Sequence, residues 1–254
     1  MRKPSVEMKQ NTPNQNPEKM WAELAPYYDV LYNWKDYQSE SGRIHELIQK
    51  YKKISGNHLL DVACGTGNHI HYLKKHYDII GLDLNPAMLK EARKKCPGIK
   101  FYCADMVSFN LDRKFDSIIC LFSSIGYVKT YSKLKKVVRC FSDHLQPGGV
   151  LIIEPFLTKE TYKTGQIFGD TMSGDGIKIS RMNVSQRKGN LAILDFHLLL
   201  ATKKGVQYFQ DIHELALFDT DRFLETLRES GFKATYLKDG LMKDRGLFIG
   251  VKKG

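Results

Sequence analysis

The residues best suited to chemistry lie in the stretch Leu59-Leu60-Asp61-Val62-Ala63-Cys64-Gly65-Thr66-Gly67-Asn68. A hydrophobic run there meets an acid and then a tight turn with glycine at two alternate positions. Glycine takes positive φ freely and carries no side chain, so such a turn lets backbone come close to a small ligand. A second acid, Asp83, follows the next hydrophobic run, eighteen residues after Gly65. A carboxylate offers two acceptor oxygens to two vicinal hydroxyls. Turn and acid together point to a nucleoside held by its ribose.

Three nucleoside ligands compete. A phosphate-binding loop of Walker type needs Gly-x-x-x-x-Gly-Lys-Ser/Thr, which is absent. A dinucleotide prefers a third glycine, because its pyrophosphate must rest on the helix N-terminus. Ile70 occupies that third position. Gly65-Thr66-Gly67 without it suits a ligand that has no pyrophosphate, such as S-adenosylmethionine.

Alternating strands and helices must hold these residues. The periodicity predicts a helix through Ile44, Leu47, Ile48 and Tyr51, then strands at 58–63, 77–82, 99–103, 115–122 and 150–154. Asn85 caps a helix with Pro86 at its first position, and Pro97-Gly98 ends it. Leu134, Val137, Val138, Phe141 and Leu145 form one helical stripe, and Gln146-Pro147-Gly148-Gly149 reads as the turn into the fifth strand. The alternation is that of an α/β fold with a doubly wound, mostly parallel sheet. The rhythm changes after Phe156. Residues 165–218 read as strands joined by hairpin turns at Arg187-Lys188-Gly189-Asn190 and Lys203-Lys204-Gly205. They predict an antiparallel β flap inserted after strand five. A helix from Thr220 and two closing strands bring the sheet to seven. The expected division is a disordered tail over 1–19, an α/β domain over 20–160 plus 219–254, and the flap over 161–218.

Composition narrows the function class. The 254 residues are 42% hydrophobic, ordinary for a globular protein, and no run of about 18 apolar residues marks a membrane span. The polar start lacks a signal-peptide core, so a cytoplasmic location is the default. Five cysteines without a Cys-x-x-Cys pair argue against structural zinc and a disulfide framework. His69 and His71 point apart at a helix start, and no metal is expected. The net charge of +11 suits an anionic small molecule. No aromatic-interleaved basic stripe appears, so nucleic acid is not the expected partner.

The ordered set of turn and acids resembles the class I S-adenosylmethionine-dependent methyltransferases. Asp61 and the glycine turn are like the first motif of that class, and Asp83 matches its ribose acid. Asp105 matches the carboxylate that takes the adenine amino group, with Met106 beside it. A closer resemblance lies within the class. Tyr28-Asp29-Val30-Leu31-Tyr32, Lys35-Asp36-Tyr37, Phe122-Ser123-Ser124-Ile125-Gly126-Tyr127, Glu154-Pro155, Ile179-Ser180-Arg181 and Arg245-Gly246-Leu247-Phe248 are similar to stretches of the N,N-dimethyltransferases of nucleotide-linked amino sugars. The resemblance implies S-adenosylmethionine as cofactor, held by Tyr28, Tyr37, Ala63, Cys64, Gly65, Gly67, Asp83, Leu84, Asp105, Met106 and Phe122. It also implies a homodimer. Departures cluster on the acceptor side: Asn33-Trp34 is shorter than the family's Gly-Arg-Gly, and Phe156-Leu157 replaces two tryptophans.

Methyl transfer is an in-line displacement, so the protein mainly holds the acceptor behind the methyl carbon. An amine acceptor must also shed a proton. A strong base is not obligatory for that, because a desolvated ammonium near the sulfonium charge has a lowered pKa. Tyr32, Tyr127, His213 and Glu154 are the candidates for positioning the acceptor. Tyr32, Ser124, Tyr127, Arg181 and Arg245 are the candidates for binding the acceptor, the two arginines because a guanidinium grips phosphate oxygens in pairs. Methylation of another small metabolite on O or N is the alternative reading. A nucleic-acid methyltransferase is weaker, because Leu121-Phe122-Ser123-Ser124 stands where Asn-Pro-Pro-Tyr would. A non-catalytic ligand sensor is the reading from another class.

Overall fold

A computed structural model describes residues 23–242 and 244–254. The tail expected over 1–19 lies outside the described residues. After a short helix, α1 (Tyr28–Leu31), come α2 (Tyr37–Tyr51), β1 (His58–Val62), α3 (Asn68–Leu73), β2 (Asp78–Asp83), α4 (Pro86–Lys95) and β3 (Lys100–Cys103). They are followed by β4 (Phe115–Cys120), α5 (Tyr131–His144) and β5 (Leu145–Ile153). Four strands then run in succession: β6 (Ile167–Gly174), β7 (Ile177–Lys188), β8 (Leu191–Thr202) and β9 (Gly205–Ala216). The chain closes with α6 (Thr220–Glu229), β10 (Phe232–Leu237) and β11 (Leu247–Lys252).

Seven strands form one sheet in the order β10-β11-β5-β4-β1-β2-β3. Only β11 runs against its neighbours. This is the class I methyltransferase fold. Side chains alternate across the sheet, as the two-residue period of a strand requires. Leu60, Ile118, Leu151 and Ile153 pack under α5 and α6. Leu59, Ile119, Val150 and Ile152 pack under α2, α3 and α4. The strand order reverses between β1 and β4, and ligands of such sheets bind outside the carboxyl ends of the strands at that point.

Three expected boundaries shift, each for a backbone reason. The strand expected over 58–63 stops at Val62, because Ala63 turns to φ 58°. That expected over 115–122 stops at Cys120, because Phe122 and Ser123 take φ 51° and 65°. Pro147-Gly148-Gly149 is not a turn ahead of β5 but a bulge within it. The register jumps from Phe115↔Leu145 to Ser117↔Val150, and Gly148 supplies φ +80°. The helix expected from Thr220 begins there, and Asp219 caps it by accepting from the Arg222 amide at 2.8 Å.

The inserted strands make a separate four-stranded antiparallel sheet, β6-β7-β8-β9. Its two later turns fall at the expected glycines, Gly189 (φ 59°) and Gly205 (φ 123°). One face carries Met172, Ile179, Leu198 and Leu200, packed on Leu24, Leu31 and Tyr32 of the N-terminal segment. The register puts Arg181, Asp211 and His213 on that same inner face. The opposite face leaves Ile167, Met182, Val184 and Leu199 exposed. No helix among the described residues is long and apolar enough to cross a membrane.

Candidate active site

The left-handed residues that end β1 and β4 face one another across the switch point. They wall a cavity open to solvent on one side. Asp61, Ala63, Cys64, Gly65, Thr66 and Asn68 form one wall, Leu121, Phe122 and Ser124 the opposite one, and Tyr28, Tyr37 and His69 the remainder. Three non-glycine residues held at positive φ at one site store backbone strain, and something must hold them there.

Buried polar contacts hold them. On the β1 side, Asp83 at the end of β2 accepts the Gly65 amide on Oδ2 at 2.8 Å and the Asn85 amide on Oδ1 at 2.8 Å. A Cβ on Gly81 would lie 2.5 Å from the Phe101 ring and 2.9 Å from Cys64 Sγ, so glycine lets the turn seat against β2. On the β4 side, Glu154 accepts the Phe122 amide at 2.7 Å, and Arg245 Nη1 donates to Ser123 Oγ at 2.8 Å. Glu154 is fully buried, and this contact gives it the work of fixing the strained turn.

The N-terminal segment closes over the glycine turn. Asp29 of α1 accepts from Thr66 Oγ1 at 2.7 Å and from Asn68 Nδ2 at 3.0 Å. Lys95 pairs with its other oxygen at 2.6 Å. Behind Tyr37, Lys35 and His69 both pair with Glu40, the His69 contact at 2.8 Å. Burial pushes the Glu40 carboxyl up, but His69 and Lys35 outweigh it and hold it below its ordinary value. Lys35 Nζ also lies 4.7 Å over the Phe122 ring. Burial raises the Tyr28, Tyr32 and Tyr37 hydroxyls above their ordinary range, so all three stay neutral.

The cofactor implied by the sequence fits this cavity. Asp61 is buried, and its Oδ2 has no hydrogen-bond partner among the described residues. Burial, and then the nearby Asp83, push the Asp61 carboxyl well above its ordinary value. Burial also raises Asp83, against three backbone amides that pull it down. Two acids at one cavity edge suit a ligand bringing an ammonium and vicinal hydroxyls. Gly65 has nothing within 4 Å of the place a Cβ would take. Its outer side is free for such a ligand.

The sequence-derived residues do not all meet at one point. Tyr28, Tyr37, Ala63, Cys64, Gly65, Phe122 and Ser124 line the cavity. Gly67 sits behind it, capping α3 at φ 77°. Leu84 is 53% exposed beyond β2. Asp105 and Met106 stand past the end of β3, where Asp105 Oδ1 accepts the Val107 amide at 2.9 Å. Tyr32 is buried, edge-on to Phe122 at 5.1 Å, with Arg181 5.4 Å over its ring. Arg181 is engaged by Asp170 at 2.7 Å. Tyr127 Oη is 2.7 Å from His213 Nδ1, joining the β4 turn to the flap. The sequence assigns Asp29, Lys35, Glu40, Asn68 and Asp211 no role at the site. Asp29, Lys35 and Asn68 lie within the motif stretches, and Asp211 stands two residues from His213 on one strand face. Among the described residues no three His, Cys, Asp or Glu side chains gather as a metal site.

Comparison with known proteins gives a consistent picture. Residues 59–149 match the model of a methyltransferase domain. The chain is 38% identical over 231 residues to the dTDP-3-amino-3,4,6-trideoxy-alpha-D-glucopyranose N,N-dimethyltransferase of Streptomyces venezuelae, covering 89% of this chain and 97% of that one. The crystal structure of Streptomyces venezuelae DesVI superposes with a TM-score of 0.85 at 37% identity, over 90% of this chain and 98% of the other. The S-adenosylmethionine-bound amino pentose methyltransferase CalS10 of Micromonospora echinaspora superposes with a TM-score of 0.81 at 29% identity, over 89% and 97%.

Proposed function

This chain belongs to the family of S-adenosylmethionine-dependent methyltransferases that contains the dTDP-amino-sugar N,N-dimethyltransferases, and we propose that it methylates the amine of a nucleotide-linked amino sugar. The observation that carries the reading is the pairing of two sites. A nucleoside cradle sits at Gly65 and Asp83, and two arginines, Arg181 and Arg245, stand on the flap side of the Phe122 wall. Arg181 and Arg245 both lie over aromatic rings, Arg245 5.8 Å from the Phe122 centroid. Stacked guanidinium groups suit a diphosphate.

The cofactor supplies an activated methyl on a sulfonium sulfur. Gly65 and Asp83 hold its ribose, and Asp61 takes its amino group. Tyr28 and Tyr37 cover it with aromatic faces that favour a cation. The flap lies over the acceptor and excludes water, and Tyr32, Ser124 and Tyr127 line the approach. Glu154 acts through the Phe122–Ser123 turn and needs no contact with the acceptor.

The deciding experiment is mass spectrometry of purified protein incubated with cofactor and a panel of amino-sugar nucleotides. Gains of one and two methyls on one of them support the reading, and inertness toward all of them refutes it. Arg245→Ala is expected to raise KM for the nucleotide-sugar acceptor about tenfold or more, the loss of a charge-assisted contact. The Kd for S-adenosylhomocysteine is expected to change less than the acceptor KM, because Glu154 still holds the Phe122 amide when the Arg245–Ser123 contact is lost. An unchanged acceptor KM would remove Arg245 from the phosphate role.

A homodimer through the exposed outer face of the flap belongs to the same proposal, supported by Met182, Val184 and Leu199 lying bare on one side. Sedimentation of the purified chain tests it. A cytoplasmic site of action also belongs to it, supported by five cysteines that are all free thiols. Cell fractionation is the check.

A further inference from the structure

The flap and the turn after β4 meet at more contacts than docking needs. Lys129 pairs with Glu214 at 2.6 Å. A Cβ on Gly126 would come within 3.2 Å of Leu215, so the turn already lies flat on β9. Between them runs a chain of three polar groups. Tyr127 Oη is 2.7 Å from His213 Nδ1, and His213 Nε2 pairs with Asp211 Oδ2. Asp211 and His213 are 1% and 2% exposed. A buried carboxylate is costly and adds nothing to a contact that Lys129 and Gly126 already fasten.

We infer that Asp211, His213 and Tyr127 form a proton relay that strips the acceptor's ammonium before each methyl transfer. The inference rests on the proposed amine acceptor and deepens it. A carboxylate only accepts, so in the proposed relay the Asp211 contact favours the imidazole proton on Nε2 and leaves Nδ1 with a lone pair. Nδ1 therefore accepts the Tyr127 hydroxyl. The Tyr127 ring is 41% exposed while its hydroxyl end is buried against the flap, three residues past Ser124 of the cavity wall. Among the described residues, the Phe196 ring also faces His213 at 5.5 Å and Leu194 stands across the ladder.

The step balances as follows. The acceptor enters as R–NH3⁺. Tyr127 Oη takes one of its protons while passing its own to His213 Nδ1, so no free phenolate forms. That concerted order matters, because burial pushes the Tyr127 hydroxyl well above its ordinary value. The uncovered nitrogen lone pair bonds the methyl carbon, and the pair of the broken C–S bond stays on sulfur. The product is R–NH2⁺–CH3. The imidazolium, held beside Asp211, returns its proton through Tyr127 to solvent. The same relay then serves R–NH2⁺–CH3 in a second round, giving R–NH⁺(CH3)2.

Two variants and two readouts test this. Asp211→Asn presents an amide that donates to Nε2, which moves the imidazole proton to Nδ1 and blocks acceptance from Tyr127. Tyr127→Phe keeps the ring and the Asp211–His213 pair but removes the relay's first atom. Each is expected to lower kcat about 100-fold or more, within the usual range for general base catalysis, with acceptor KM and the Kd for S-adenosylhomocysteine changed less than about threefold. The residual rate of Tyr127→Phe is expected to climb about tenfold per pH unit below the acceptor's own pKa, since only free amine then reacts. Nitrogen-15 NMR of His213 needs no acceptor. It is expected to show Nε2–H in the native chain and Nδ1–H in Asp211→Asn. A native proton on Nδ1, or a Tyr127→Phe kcat within about threefold of native, overturns the relay. If no amine is methylated by the native chain, the proposed function fails and the relay falls with it. If an amine is methylated equally by both variants, only the relay falls.

Discussion

Replacing Asp83 with alanine is expected to weaken S-adenosylhomocysteine binding by about 100-fold or more. Two charge-assisted hydrogen bonds to ribose hydroxyls contribute roughly 1.5–3 kcal/mol each, and both are lost. The structure adds a second cost. Asp83 also anchors the Gly65 and Asn85 amides, so its removal leaves the glycine turn without its partner. An orphaned buried amide costs about 1–3 kcal/mol, and Tm is expected to fall by several degrees. Asp83→Asn separates the two effects. The amide keeps one oxygen for the turn but loses the charge, so Tm recovers more than affinity. Calorimetric titration and thermal melts of the three proteins give the comparison. An alanine variant that binds within about threefold of native would show that the nucleoside sits elsewhere.

The cradle was legible because its constraints are local. Positive φ at Gly65 and Gly67, the proline at the start of α4 and the acid ending β2 each leave a mark at a defined position. The flap was legible for the same reason, since Gly189 and Gly205 punctuate runs of apolar residues. What lay hidden depends on distant pairs. Asp29 meets Thr66 and Asn68 from 37 and 39 residues away. Glu154 meets Phe122 across 32. Lys35, Glu40 and His69 form one buried group from two helices and a loop. No short window holds such a pair, and each acid in isolation reads as a cap or a solvated side chain. The bulge in β5 was hidden differently. Gln146-Pro147-Gly148-Gly149 has the composition of a turn, and only the ladder with β4 shows that pairing resumes on both sides of it. Glu154 was visible by position but not by partner. One of its oxygens holds the Phe122 amide, and the other has no hydrogen-bond partner among the described residues.

Asp61 carries the opposite lesson, an acid whose cost to the fold is its use to the ligand. Burial and Asp83 raise its folded pKa above the unfolded value. The folded form therefore binds the proton more tightly. From low pH, the unfolded chain ionises first, near pH 4, and stability falls as pH rises through the folded pKa. Asn cannot ionise and escapes that loss. Asp61→Asn is expected to stabilise the protein at neutral pH by roughly 1–3 kcal/mol, or several degrees in Tm, with the gain vanishing as the pH approaches about 4. The same substitution is expected to weaken cofactor binding about 10- to 100-fold, because a neutral amide no longer offsets the cofactor's ammonium. Binding to the native chain draws Asp61 into its charged form. Titrations in buffers of different ionisation enthalpy should therefore show proton release, and the Asn variant should release less. A variant that loses stability at neutral pH, or that binds as tightly with the same proton release, would mean that Asp61 is charged and paired before the cofactor arrives.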